Sequence, residues 1–245
     1  RHPECVFLSE AFTRPSVLEY LAKLGFSQSY TYFTWRNTRH ELTEYFTELS
    51  QDPSREYFRP NVWPNTPDIL HEYLQHGGRP AFIVRVVLAA TLAASYGLYG
   101  PAYELMENVP REPGSEEYLH SEKYEIRRWE RARADSLAEL IGRLNRIRRE
   151  NVALQSDWSL QFHPTDNDQL LVFSKQKGDN LILVAVNLDP RYLQAGWVDF
   201  PWGEGRTYSV EDLLGGGRYT WAGRRNFLQL NPQTLPAHVF RVVRG

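Results

Sequence analysis

The sequence predicts a chain of two textures: an α/β unit of parallel strands over residues 1–150, then an all-β unit over residues 151–245, an antiparallel β-sandwich or open barrel of six to eight strands. From residue 4 to about 150, short apolar β-favouring runs alternate with longer helical stretches, the pattern of βα units around a parallel sheet. After Asn151 no long helical pattern remains, and apolar strands are separated by turn residues. The length of 245 residues exceeds the usual single-domain size of about 100 to 150, which suits two packed units or one barrel-sized unit.

Taken in order, the strands of the first unit are expected near residues 5–9, 29–33, 58–63 and 96–99. Helices are expected near 16–24 and 39–49, and as two pieces at 68–75 and 79–94. Pro15 and Pro67 stand where a first helical turn tolerates proline, and Gly25 follows a helix end. A further helix is expected over 125–149, with Leu137, Leu140, Ile141 and Leu144 forming one apolar stripe. Its many arginines are interleaved with Glu125, Glu130, Asp135, Glu139 and Glu150, which reads as a solvated face rather than a polyanion patch. In the second unit, Leu170 to Phe173, Asn180 to Val186 and His238 to Val243 read as strands, with turns at Lys177-Gly178-Asp179 and Gly215-Gly216-Gly217.

Composition narrows the function. Hydrophobic residues at 42% and charged residues at 24% exclude a disordered or low-complexity chain. A net charge of −2 provides no global field toward nucleic acid or an anionic membrane, so neither is expected as a partner. The longest apolar stretch, Val86 to Leu98, is cut by Thr91 and Ser95 and falls short of the roughly 20 residues a bilayer needs; it reads as a buried helix running into a strand. One cysteine, Cys5, cannot form an internal disulfide, and no signal peptide opens the chain, so a cytoplasmic setting is expected. Residues 4–10 are strand-like from the outset, as if the chain begins inside a domain.

In parallel βα architectures ligands meet the C-terminal ends of the strands, so polar residues that close apolar strands are the first candidates. Glu10 closes Cys-Val-Phe-Leu-Ser-Glu and precedes Ala11-Phe12; apolar neighbours raise a carboxyl pKa and suit a general acid, although a strand-end ion pair is the plainer alternative. Asp68 lies 58 residues on, about two βα units at roughly 30 residues each, and would project from the next strand but one. Asn65-Thr66-Pro67-Asp68 also reads as a helix start with Thr66 as cap, which competes with a functional role for Asp68. The loop from Gly100 to Tyr124 is long, and Tyr96, Tyr99, Tyr103, Tyr118 and Tyr124 suit either the faces of a sugar or a packed tyrosine-rich loop. In Ser-Glu-Lys-Tyr-Glu, spacing alone has Lys123 neutralising Glu122 or Glu125. The seven histidines show no zinc-ligand spacing, and phosphate-loop, dinucleotide and serine-elbow motifs are absent, which disfavours metal, nucleotide and serine-hydrolase chemistry.

Four segments carry a resemblance: Phe-Leu-Ser-Glu-Ala-Phe-Thr-Arg-Pro at 7–15, Tyr-Thr-Tyr-Phe-Thr-Trp-Arg-Asn-Thr at 30–38, Asn-Val-Trp-Pro-Asn-Thr-Pro-Asp-Ile-Leu at 61–70, and Ser-Glu-Lys-Tyr at 121–124. They resemble the fifth, sixth and seventh strand segments and a sugar-binding stretch of the α-amylase superfamily, specifically of the bacterial α-1,4-glucan:maltose-1-phosphate maltosyltransferases. Residues 207–243 also resemble the amylase-type C-terminal β-domain, so the resemblance covers essentially the whole chain. Common α-amylases have a histidine immediately before the seventh-strand aspartate; Pro67 stands there instead, which matches the maltosyltransferases.

The resemblance implies that residues 1–150 are strands five to eight, the C-terminal half, of a (β/α)₈ TIM barrel. It implies Glu10 as general acid/base, Asp68 as transition-state stabiliser, and Lys123 and Tyr124 as holding the donor sugar. The superfamily's nucleophilic aspartate belongs to an Arg-x-Asp segment at the fourth strand. Only nine residues precede Glu10, so the fragment alone is expected to be inactive. The implied reaction is retaining transfer of maltosyl units from a maltose 1-phosphate donor to the 4-hydroxyl of an α-1,4-glucan acceptor, with phosphate released and no metal or organic cofactor. The remainder of its own catalytic domain is then a partner, and any homo-oligomer is assigned to regions outside these residues. An α-amylase-like hydrolase and a non-catalytic glucan-binding fragment stay open as alternatives.

Overall fold

The computed structural model describes residues 2, 4–51 and 53–244. Four short strands, β1 (Leu8–Ser9), β2 (Gln28–Tyr30), β3 (Pro60–Val62) and β4 (Ser95–Tyr96), form one parallel sheet in the order 1-2-3-4. β1 and β3 lie within their expected regions and β2 and β4 begin one residue before theirs, but pairing ends after two or three residues. After β2 the reason is visible: Tyr32–Trp35 coil into a 3₁₀ turn that buried Arg85 holds, donating to the carbonyls of Phe33 at 2.5 Å and Arg36 at 2.7 Å. The guanidinium also lies over the Phe33 ring, 3.6 Å from its centre.

The helices that connect these strands are α1 (Pro15–Lys23), α2 (Arg39–Ser50), the single turn α3 (Ser54–Tyr57) and α4 (Glu72–Leu92), and α5 (Gly100–Glu104) and α6 (Ala138–Glu150) follow β4. Proline opens α1 as expected. At α2 a capping box forms, in which Thr38 Oγ1 accepts from the Glu41 amide and Glu41 Oε2 from the Thr38 amide. Residues 81–92 of α4 are buried on every side, so the apolar run is the central helix of the molecule. Among the described residues no helix is long and apolar enough to cross a membrane.

Two expectations need correction. The helix after β3 does not start at Asp68. Thr66 and Ile69 exchange backbone hydrogen bonds at 3.2 Å, and Thr66 Oγ1 accepts from the Asp68 amide, forming a turn in which the threonine satisfies a loop donor. The helix begins four residues later, where His71 Nδ1 accepts from the Tyr73 amide at 3.1 Å, and it breaks at Gly78 (φ 59°, ψ −161°), which keeps the two expected pieces. The 125–149 helix is confined to α6. Ile126 and Trp129 stand at helical spacing, but Ile126 is fully exposed and only Trp129 packs on the core, so no apolar stripe holds a helix before Leu137; Ser136 Oγ accepts from the Ala138 amide at the start of α6. Its arginines are not all solvated either. Arg127 pairs with Glu107, Arg143 donates to the Leu214 carbonyl at 2.7 Å, and Arg148 donates to the carbonyls of Ala90, Ala93 and Ala94.

The second unit is antiparallel throughout, as its turn chemistry implies: β5 (Gln161–His163), β6 (Leu170–Lys177), β7 (Asn180–Asn187), β8 (Gln194–Asp199), β9 (Thr207–Asp212), β10 (Arg218–Ala222), β11 (Arg225–Leu230) and β12 (Ala237–Arg244). Six strands pair in the order β10-β9-β12-β7-β6-β5, and β8 pairs with β11 as a separate ribbon. Gly178 (φ +58°) closes the β6–β7 hairpin. Alternate residues of β6 serve two cores. Leu170 and Val172 pack with Val198 and Leu228 of the ribbon, whereas Leu171 and Phe173 join the core around α4. Burial on both faces is why β6 and β7 read as continuous rather than alternating apolar runs.

Lys175, two residues beyond Phe173 on that inner face, is fully buried. Its ammonium donates to the Leu92 carbonyl at 3.4 Å and lies 3.7 Å from Asp157, which in turn accepts from the Ala94 amide at 2.6 Å. With Arg148 it caps the C-terminal carbonyls of α4 where the chain turns into β4. Burial pushes this lysine down to about 8, against the pull of Asp157. The unfolded chain holds the same proton up to about pH 10.4, so between these values it binds more protons than the folded state and stability rises with pH. Relative to Lys175→Met, the wild-type chain is therefore expected to gain about 3 kcal/mol in urea unfolding between pH 7 and 10. Parallel pH profiles for the two proteins would contradict this.

Candidate functional site

The C-terminal ends of the parallel strands gather the carboxylates. Glu10 leaves β1 and Tyr30 ends β2; because Ser9 is in register with Ser29, the two side chains that follow emerge side by side on one face. Desolvation raises the Glu10 pKa, as its apolar neighbours led one to expect, and the charge of Asp68 raises it further. Asp68, carried on the turn after β3, thus acts on the carboxyl two strands away.

Lys123 does not neutralise Glu122 or Glu125. Its ammonium lies 2.6 Å from Asp68 Oδ1 and 3.3 Å from Glu117 Oε1. The hydrogen bond to Asp68 holds the lysine pKa above its ordinary value, while Arg111 first and Lys123 second hold Glu117 below its own. Ser121 docks this loop onto the Asp68 turn: its hydroxyl donates to the Pro67 carbonyl at 3.5 Å and accepts from the Lys123 amide at 3.2 Å. Glu122 instead accepts from the Tyr99 hydroxyl and Trp129 Nε1, and Glu125 pairs with His120. Tyr124 is exposed beside the ammoniums and guanidiniums of Lys123 and Arg111, 5.4 and 5.6 Å from its ring centre.

The five loop tyrosines divide. Tyr103 and Tyr118 are core residues; Tyr103 donates to the Phe82 carbonyl, and Tyr118 accepts from Asn65 Nδ2 at 2.8 Å. Tyr96 and Tyr99 spend their hydroxyls on Asn145 and Glu122. For these four the packed reading describes the geometry better than a row of sugar platforms, and Tyr124 keeps a free face.

Several residues around Glu10 were not anticipated. Trp35 Nε1 donates to both oxygens of Glu116 at 3.0 and 3.1 Å, and Phe12 packs edge-on against Trp35. Tyr30 stacks on Trp63 with ring centres 5.0 Å apart. The strand ends also hold buried polar atoms without partners among the described residues, including Ser9 Oγ, Ser29 Oγ, Asn61 Oδ1 and Trp63 Nε1. No composition signal marks these; the register of β1 against β2 and of β2 against β3 would have found them. Among the described residues no group of three or more His, Cys, Asp or Glu side chains is placed to hold a metal ion.

Residues 162–242 match a family model described as "GLGE, C-terminal". Over 255 residues the chain is 52% identical to an α-1,4-glucan:maltose-1-phosphate maltosyltransferase of Chlorobaculum tepidum, covering 99% of this chain and 38% of that protein. It is 54% identical over 253 residues to the enzyme numbered 1 of that name in Streptomyces coelicolor, covering 99% of this chain and 37% of the relative. The chain therefore spans well under half the length of these curated relatives. Among solved structures it superposes on an Anoxybacillus α-amylase with a TM-score of 0.71 at 12% identity, covering 98% of this chain and 52% of the other. The cyclomaltodextrin glucanotransferase CldA gives a TM-score of 0.71 at 14% identity, covering 98% of this chain and 50% of that one. At such identities these two report the fold alone. Over 99% of its length the chain is thus similar to 37–38% of the length of proteins named α-1,4-glucan:maltose-1-phosphate maltosyltransferase, and its residues 162–242 belong to the domain family described as "GLGE, C-terminal".

Proposed function

We propose that this chain is the C-terminal portion of a retaining maltosyltransferase that moves maltosyl units from maltose 1-phosphate to the 4-hydroxyl of an α-1,4-glucan. In this reading residues 1–150 form strands five to eight of a (β/α)₈ barrel and residues 151–245 its C-terminal β-domain. The observation that carries it is the pairing of Glu10 and Asp68 across the strand ends, with the charge of Asp68 felt at Glu10. A consistent second feature is that β1 is an edge strand of the parallel sheet and that Val6, Phe7 and Leu8 along it are exposed, as a strand awaiting a further barrel neighbour would be.

Protonated Glu10 assists departure of phosphate while a nucleophilic carboxylate from outside these residues attacks the anomeric carbon. Glu10, now ionised, then takes the proton of the acceptor 4-hydroxyl as that oxygen displaces the carboxylate, so the enzyme returns to its starting state. Asp68, held by Lys123, binds ring hydroxyls more strongly in the oxocarbenium-like transition state than in the ground state. No step needs a metal or organic cofactor.

Phosphate release from maltose 1-phosphate by the full-length protein, measured with and without a glucan, tests this. Release that depends on the acceptor and lengthens it supports transfer. Release into water without an acceptor would make the protein a hydrolase, and binding without turnover would make it a glucan-binding module. Lys123 offers a finer test. Remote contacts to a donor's second ring orient the reacting one, so Lys123→Ala is expected to lower kcat/KM for maltose 1-phosphate about tenfold more than for a one-ring donor. Equal losses for both donors would remove Lys123 from the donor site.

A further inference from the structure

We propose that Tyr30 and Trp63 form a stacked aromatic wall beside Glu10 that positions its carboxyl and shields part of it from water, making Tyr30 a positioning residue for the acid/base step. The inference rests on the role given to Glu10 above.

Three observations converge on it. First, register: Ser9 opposite Ser29 sets Glu10 beside Tyr30, and Tyr30 opposite Asn61 sets Trp63, two residues further along, on the same face. Second, the stack is built for. The two rings lie 5.0 Å apart at 24°, and the indole rests where β4 continues into Gly97, at which any side chain would overlap the Trp63 ring. Glycine is needed here for space, not for its backbone freedom. Third, the wall continues on the other side of Glu10. Phe12, two residues after Glu10, meets Tyr30 edge-on at 6.2 Å and Trp35 at 5.2 Å, so aromatic rings from three segments cluster around the strand end that carries Glu10.

Partial desolvation favours the neutral, proton-donating form of Glu10, and the phenol of Tyr30 is in turn raised by its own burial and by the Glu10 charge. The groups facing Glu10 that also bear on its titration are Asp68 and, through it, Lys123. The wall differs from both because it carries no charge, so its effect is insensitive to salt while theirs is screened.

The test uses the full-length protein and approaches the stack from both ends. Tyr30→Leu removes the upper ring and Gly97→Ala displaces the lower one; Tyr30→Phe keeps the wall and removes only the hydroxyl. In Tyr30→Leu and Gly97→Ala the alkaline limb of kcat/KM for maltose 1-phosphate is expected to move down in pH, with a loss of activity on that limb that fades at lower pH. Tyr30→Phe is expected to stay within about twofold of wild type, with the limb in place. Losses in Tyr30→Leu and Gly97→Ala with an unmoved limb would overturn the proposal, as would a Tyr30→Phe variant that reproduces the loss by itself. Glu10→Gln serves as reference. An alkaline limb that persists in Glu10→Gln would show that another group titrates there, and the role of Glu10 would fall together with that of its wall. A limb that vanishes in Glu10→Gln but ignores the stack removes the wall alone.

Discussion

Replacing Glu10 by Gln in the full-length protein is expected to lower turnover with maltose 1-phosphate by about 10²- to 10⁴-fold, the range that positioned proton transfer commonly contributes. Glutamine keeps the shape and burial of the side chain, so the loss isolates the proton. The kind of failure matters as much as its size. A donor whose leaving group needs no proton, such as a maltosyl fluoride, should still form the covalent intermediate, and that intermediate should accumulate because its breakdown requires a base at the same position. Rapid mixing with mass detection reads both quantities. Loss of the first step with the activated donor as well would show that Glu10 does something other than proton transfer.

Asp68→Asn is expected to cost about 10²- to 10³-fold, but evenly across both half-reactions and with any leaving group, because the lost interaction is with the charged transition state common to both. Two further signs set it apart from Glu10→Gln. The like charge that raises the Glu10 pKa disappears, so the alkaline limb of the pH profile moves down. Lys123 also loses the charge of its 2.6 Å partner and keeps an ion pair with Glu117, which weakens the hold of its loop on the turn. An Asp68→Asn variant rescued by an activated donor would exchange its role with that of Glu10.

How far the site was legible depended on how far apart its partners lie. Glu10 could be found from its own neighbours, since a strand end beside Ala11 and Phe12 is a local fact, and its raised pKa follows from them. Asp68 was ambiguous because Thr66-Pro67-Asp68 satisfies two local rules at once. The threonine hydroxyl caps a turn rather than a helix, and only the tertiary path of the chain after β3 decides between these. For Lys123 it is the reading from spacing alone that fails: Glu122 and Glu125 are its sequence neighbours, yet its partner Asp68 is 55 positions away. The fold divides in the same way. The parallel order 1-2-3-4 and the eight antiparallel strands follow from pattern, whereas the late start of α6 and the buried charge of Lys175 depend on what lies opposite them.

The continuity of the core around α4 has a consequence for how the molecule breathes. Leu171, Phe173, Ile182, Val184 and Val239 of the six-stranded sheet pack in one cluster with Val86, Leu88 and Leu144, so the sheet cannot open without exposing the central helix. Asn151, at the junction, is itself buried, donating to the Ile147 carbonyl and accepting from Asn180. The β8–β11 ribbon, by contrast, shares only the second cluster. Amide exchange should therefore sort the chain by core rather than by position along it: α4, β6 and β7 exchanging in one slow cooperative event, the ribbon in a faster one of its own. The strand ends that present Glu10 and Asp68 would then owe their rigidity to a sheet more than a hundred residues downstream.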